Sequence, residues 1–191
     1  MRQLNGKMNY SDKYCAELHQ TLNTIDTTKV QQVVEVFRAA RDAGRFIFIC
    51  GNGGSAASAS HIVCDIIKGC SYNRPKRFKM MALTDQMPTI SAYSNDVGAE
   101  VAFVEQLKNF AQPGDVVVAI SGSGNSPNVL RAIEYGNELG CTTIGLSGRD
   151  GGMLAPLSQI SIHVPVQHMG RIEDAHMAVC HMIAYEFMEE A

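Results

Sequence analysis

Apolar positions along the chain follow two rhythms. Between residues 10 and 43 they fall three and four apart, the spacing of helices with one buried face. Tyr10–Asn23 predicts a first helix with Ser11 as its N-cap. Thr27 or Thr28 opens a second, whose Val30, Val33, Val34, Val36, Phe37 and Ala40 form a broad stripe, and Gly44 ends it. From Phe46 the rhythm changes. Phe46–Cys50 is a short unbroken apolar run closed by Gly51, which predicts a buried strand. Further strands are expected at Lys79–Leu83, Asp115–Ile120, Thr142–Leu146 and Ile160–Val164. Helices are expected over Ser55–Lys68, Pro88–Ser94, Ala99–Phe110, Asn125–Leu139 and Arg171–Glu190.

Short apolar strands alternating with helices bury both faces of a parallel sheet. The expected fold is α/β: a flavodoxin-like three-layer α/β/α sandwich with a five-stranded parallel sheet, preceded by an N-terminal helical pair. No linker or repeat interrupts it, so one domain is expected over residues 1–191, with helices at about 10–43 and the α/β core at about 45–191. Ligands of such sheets bind beyond the carboxyl ends of the strands. The loops after the first and third strands are therefore the places to look.

Composition removes several function classes. With 46% hydrophobic and 18% charged residues, general disorder is excluded. The net charge of −3 supplies no basic field for nucleic acid, so an anionic ligand must be held by local dipoles. No apolar run approaches the ~20 residues of a membrane helix. The polar stretch Met1–Tyr10 carries no signal-like apolar segment. Cysteines stand at 15, 50, 64, 70, 141 and 180 without a C-x-x-C pair, mostly among apolar neighbours, as free thiols in a reducing compartment do. A cytoplasmic protein with no nucleic-acid and no membrane partner is expected.

The first strand runs into Gly51-Asn52-Gly53-Gly54-Ser55 and then a helix. Glycines let the backbone approach a ligand, and the helix start offers unpaired N–H groups and a positive dipole end. No Gly-Lys-Ser/Thr follows, so this is not a Walker loop. Alone, the segment reads equally as a tight strand-to-helix turn. The third strand runs into Ser121-Gly122-Ser123-Gly124-Asn125-Ser126, again at a helix start, with four short polar side chains able to donate to one anion. Alone, that reads as an N-cap with a flexible loop. Two such loops on neighbouring strands point to a phosphate site built from hydroxyls and helix N-termini, without arginine.

His61 and Asp65 stand at i and i+4 on the helix after the first loop, on one face, where they form a surface pair or share a metal ion or substrate. Cys64 is a further candidate ligand. The last helix adds Glu173, His176 and His181, where a histidine is also compatible with interior packing. His168 and His176 stay open between substrate, a neighbouring subunit and packing.

Cys50-Gly-Asn-Gly-Gly-Ser55, Ser121-Gly-Ser-Gly-Asn-Ser126 and Leu146-Ser-Gly-Arg-Asp-Gly-Gly152 resemble the sugar isomerase (SIS) domain. More narrowly they resemble its phosphoheptose isomerase, or sedoheptulose 7-phosphate isomerase, branch. The similarity runs from about Phe46 to the last residue, and the N-terminal helical pair also matches. The resemblance implies isomerisation of sedoheptulose 7-phosphate to D-glycero-D-manno-heptose 7-phosphate by metal-assisted enediol proton transfer, feeding nucleotide-heptose synthesis. It implies zinc or another divalent metal on His61, Asp65, Glu173 and His181, with Asp65 as base and His181 as acid. It also implies substrate or phosphate contacts from Asn52, Gly53, Ser55, Asp96, Ser121, Gly122, Ser123, Ser126 and Glu173. A homotetramer with active sites at subunit interfaces completes the implied picture.

The chain departs from the branch at several of these positions. Asp65 stands for the family's Glu and is one methylene shorter; Glu173 stands for a neutral Gln. The family's Thr in the second loop is Gly122, its Asp before the last helix's Arg-Ile is Gly170, and its Arg after the first helix falls near Gly69, beside Lys68. Asn95-Asp96 matches the family's substrate loop. Glu173 and His181 are eight residues apart, about 12 Å along a helix. One copy brings both to one ion only if Glu173 lies in an irregular first turn; otherwise two subunits share the site. The alternative function is a non-catalytic SIS-domain tetramer that binds a protein partner or senses a sugar phosphate. Replication-initiator-associating relatives of that kind lack the acid at 65 and the histidine at 181, and this chain keeps both.

Overall fold

The computed structural model describes residues 3–4 and 7–190. Tyr10–Leu22 (α1) and Thr27–Ala43 (α2) form the helical pair. Their caps precede the expected ones. Asn9, not Ser11, caps α1 by accepting the Asp12 N–H at 2.8 Å, and Asp26, not Thr27 or Thr28, caps α2 by accepting the Thr28 N–H at 2.9 Å. An N-cap must stand in extended backbone ahead of the first turn, as Asn9 (ψ 163°) and Asp26 (ψ 95°) do. Gly44 closes α2 in the left-handed region, at φ +65°.

Five strands follow: Phe46–Gly51 (β1), Lys79–Ala82 (β2), Val116–Ser121 (β3), Thr142–Gly148 (β4) and Ile160–Val164 (β5). All neighbours pair in parallel, in the order β2-β1-β3-β4-β5. The chain leaves β1 toward one edge and returns to β3 on the other side, so the crevice between the β1 and β3 loops is the switch point. Asp115, expected to open β3, stays outside it. Its buried carboxylate accepts the Phe46 N–H at 2.9 Å and the Gln112 N–H at 2.8 Å, which ties the starts of β1 and β3 together.

Gly54–Cys64 (α3) follows β1 and passes into a π-helical turn, Asp65–Gly69, in which the Cys70 N–H reaches the Asp65 carbonyl at 3.0 Å. Met87–Asp96 (α4) buries none of its residues. The helix expected over Ala99–Phe110 is divided into a 3₁₀ turn, Ala99–Val101, and Val104–Phe110 (α5). Ala102, Phe103 and Val104 are all buried, and three consecutive residues cannot share one face of a regular helix. Pro127–Leu139 (α6), the four-residue Leu154–Leu157 (α7) and Met169–Glu189 (α8) complete the chain. α2, α3 and α8 cover one face of the sheet, packing Val33, Phe37, Ile62, Val179 and Phe187 onto Ile47, Val118 and Ile144. α5, α6 and α7 cover the other, packing Leu107, Ile133 and Leu154 onto Phe48, Val117 and Ala119. The result is the three-layer sandwich, with both switch-point loops and the start of α8 at one end of the sheet. No described helix is long and apolar enough to cross a membrane.

Candidate active site

The β1 loop turns at Gly53, whose φ of +53° and ψ of −122° only glycine adopts freely, and enters α3 without a side-chain cap. The β3 loop enters α6 at Ser126, the N-cap residue, yet the Ser126 hydroxyl makes no capping bond. It turns back to the Ser121 hydroxyl at 3.1 Å, and Ser121 lies 3.4 Å from the Ser123 hydroxyl. Two helix starts whose N-cap residues make no side-chain capping bond and three converged hydroxyls therefore line one cleft of about 280 Å³, together with Asn52, Gly53, Gly54, Ser55, Gly122, Met169 and Glu173. A phosphate suits such a surface, because backbone N–H groups and the positive helix ends supply what arginines supply elsewhere.

Contacts between separate segments hold the loops together, and only Asn128 among their polar side chains lies outside the motifs. Asn128 on α6 exchanges two amide hydrogen bonds with Asn52, both at 2.9 Å, and so bridges the β1 loop to α6. Asn125 accepts the Met153 N–H at 3.0 Å, and the Leu154 N–H reaches the Gly124 carbonyl at 2.9 Å. Met153 and Leu154, just after the Arg-Asp-Gly-Gly segment that follows β4, thus prop up the β3 loop. At Gly122, where the resembled branch has Thr, a Cβ would lie 2.5 Å from the Met169 sulfur. The thioether of α8 fills the place of the missing side chain.

Farther along α3, His61 and Asp65 meet His181 of α8. The His61 and His181 Nε2 atoms are 2.9 Å apart, and Asp65 Oδ2 lies 3.2 Å from the first and 3.8 Å from the second. Among the described residues, these three offer ligand atoms within 4.8 Å of one another. The donor set passes a simple test of fit for a metal. Atoms bound at ~2.0–2.1 Å around a tetrahedral zinc stand roughly 3.3 Å apart, and two imidazoles with a carboxylate are hard-to-borderline donors. Asp65 reaches the group despite being shorter than Glu; it stands where α3 passes into the π-helical turn, a feature frequent at functional sites.

The structure does not bring every expected residue to these two places. Glu173 lies outside the His61–Asp65–His181 group, because two turns of α8 separate it from His181. Its carboxylate lies at the cleft, against Gly54. Asp96 lies on α4 in a separate hollow with Pro88, Tyr93 and Val97, and accepts from Asn95 at 2.7 Å. Cys64 is exposed and outside the ligand group. His168 caps α8, its Nδ1 accepting the Arg171 N–H at 3.4 Å.

His176 is buried, and its Nε2–H donates to the Ser147 carbonyl at 3.1 Å while Nδ1 has no partner. Burial pulls its pKa from 6.5 down to about 4. The unfolded chain therefore binds a proton that the folded chain refuses between those values. The resulting stability is full above about 6.5 and is lost as pH falls toward about 4, to the extent of about 3 kcal/mol. Urea unfolding of His176→Gln is expected to show a flatter pH dependence across that window than the parent; equal slopes would show that His176 contributes nothing there.

Comparison with known proteins fits this geometry. The SIS domain family model matches residues 9–148. The phosphoheptose isomerase of Geotalea daltonii is 40% identical over 155 residues, covering 81% of this chain and 80% of the relative. That of Crocosphaera subtropica is 38% identical, covering 91% and 82%. The solved phosphoheptose isomerase of Neisseria gonorrhoeae superposes with a TM-score of 0.83 at 28% identity, covering 94% of this chain and 98% of that one.

Proposed function

The chain belongs to the SIS domain family, in the company of the phosphoheptose isomerases, and from that premise we propose how its residues isomerise a heptose phosphate. The enzyme is an aldose–ketose isomerase, and sedoheptulose 7-phosphate is its substrate. The observation that carries this reading is the pairing along one helical run: an uncapped start facing a hydroxyl-lined cleft, and an imidazole and an acid about two and three turns farther on, at His61 and Asp65. Ser55 and His61 are six residues apart, ~9 Å along α3. That separation suits a sugar chain anchored by its phosphate, with its carbonyl end at the acid–imidazole group.

The phosphate is held by the N–H groups at the starts of α3 and α6 and by the hydroxyls of Ser55, Ser121, Ser123 and Ser126. Asn52 and Gly53 shape that hold. Asp65 takes the proton from the carbon next to the carbonyl. His181 gives a proton to the carbonyl oxygen, yielding the enediol, and the reverse transfers on the neighbouring carbon and oxygen complete the exchange without any external oxidant or reductant. A divalent metal, with zinc as the first choice, would be held by His61, Asp65 and His181 and would polarise the two sugar oxygens. The remaining ligand would come from substrate or from water. A homotetramer in which neighbouring copies complete the site is part of this proposal, as is a place in the cytoplasm.

Purified protein incubated with zinc and sedoheptulose 7-phosphate is expected to form the aldoheptose 7-phosphate, read by proton NMR. Chelation followed by dialysis is expected to remove turnover at least about 10²-fold, with zinc restoring it. No product and no metal retained would leave the non-catalytic binding module as the reading. Turnover that survives exhaustive chelation would remove the metal alone.

A further inference from the structure

We infer that Glu173 is a built-in competitor for the phosphate of the substrate, an acid that occupies the anion cradle of the free enzyme and sets how tightly phosphate is held there. The inference rests on the cradle being the phosphate site, as proposed above, and assigns a regulating role within it.

Both oxygens of Glu173 face the first residue of α3: a Cβ built on Gly54 would lie 2.5 Å from Oε1 and 2.9 Å from Oε2. Gly54 is thus the residue that lets the carboxylate approach this closely. Arg171, two residues earlier on the same helix, does not neutralise it, because its guanidinium pairs with Glu17 of α1. Among the described residues, Glu173 has no ion-pair partner, and it is half-buried in a cleft whose other lining residues, glycines, serines, Asn52, Ile120 and Met169, carry no charge. Met169, one turn before Glu173, presses its sulfur against Gly122. The same face of α8 therefore closes both loops, with a thioether on one and a carboxylate on the other.

A carboxylate and a phosphate are attracted by the same positive helix end, and they repel each other at this range. Phosphate enters only as the Glu173 side chain swings out. A neutral side chain of the same shape would leave the helix end to the ligand. The charged residue consequently weakens phosphate binding and speeds the departure of a product that carries the same phosphate as the substrate.

The test is calorimetric titration of inorganic phosphate into the zinc-loaded enzyme and into Glu173→Gln at one ionic strength, with bound zinc and circular dichroism measured on both. Phosphate is expected to bind the variant about tenfold more tightly, the effect of one unscreened like charge removed from a half-exposed site. Bound zinc is expected to be unchanged. Equal or weaker phosphate binding in Glu173→Gln overturns the inference, as does loss of zinc with unchanged phosphate affinity, which would place Glu173 at the metal. No phosphate binding in either protein overturns it together with the cradle. Turnover of sedoheptulose 7-phosphate by the unaltered enzyme is read separately: phosphate tightening without turnover sinks the isomerase reading and leaves the role of Glu173 standing.

Discussion

Replacing Asp65 by Asn is expected to lower isomerase kcat/KM by at least about 10³-fold while the far-ultraviolet circular dichroism and the unfolding midpoint stay close to the parent's. The amide keeps the size of the side chain and removes its ability to take a proton from carbon, and proton transfer by a positioned group is worth about 10²–10⁴. Asp65 sits at the end of α3, only partly buried, and supports no apolar packing, so the cost falls on chemistry rather than on folding. His181→Ala is expected to lose about as much. The two side chains serve one proton exchange and stand 3.8 Å apart. Their losses should therefore not add: the double variant is expected to be no slower than about tenfold below the worse single one. Additive losses, or full activity in either single variant, would separate the two groups and dismantle the acid–base assignment.

The second large effect is expected at Gly124. Its φ of +66° lies in the left-handed region, and a Cβ there would stand 2.2 Å from the Gly151 carbonyl oxygen. The obstacle is backbone, so no side chain can yield. Gly124→Val is expected to destabilise the protein by about 3 kcal/mol or more, combining a strained β-branched φ with the clash. It is also expected to raise KM for sedoheptulose 7-phosphate more than tenfold, because the β3 loop must leave the segment that supports it. Gly140→Ala is the comparison: it shares a positive φ of +83°, but a Cβ there meets nothing within 4 Å, so it should cost only backbone strain of about 1 kcal/mol and leave KM unchanged. Denaturant unfolding and steady-state kinetics on the two variants decide the matter. A KM shift in both, or in neither, would break the link between this contact and the cradle.

Why these loops were visible from the amino-acid order alone is a matter of spacing and residue type. β1 and β3 carry unbroken apolar runs because both faces of the sheet are covered, and such runs stand out against amphipathic helices, whereas β4 and β5 interleave Thr, Ser and His with their apolar residues. Glycine and serine clusters at the ends of the first and third runs then mark the switch point. The i, i+4 pair His61–Asp65 is legible for the same local reason. What spacing does not carry is the approach of distant segments. Nothing in Pro127-Asn128 announces that the Asn128 amide will meet Asn52, because that contact depends on β1 and β3 lying side by side. Met169 has no polar group to single it out, and its role exists only because Gly122 leaves a space. Glu173 and His181 are both conspicuous on α8, but their different destinations follow from the rise and rotation between them, one facing the loops and the other the α3 pair. α7 escapes notice because four residues containing a proline show no period, and the helix starts shift because Asn9 and Asp26 outcompete neighbouring hydroxyls as acceptors.

The Asn52–Asn128 bridge has a consequence for how the enzyme meets changing surroundings. A reciprocal pair of carboxamides has no charge to titrate or to screen, so the gap between the two loops is held equally well in dilute buffer, in brine, in weak acid and in weak alkali. Any dependence of substrate affinity on ionic strength then reports the charges on the sugar phosphate and its immediate neighbours, and not a loosening of the frame that receives it.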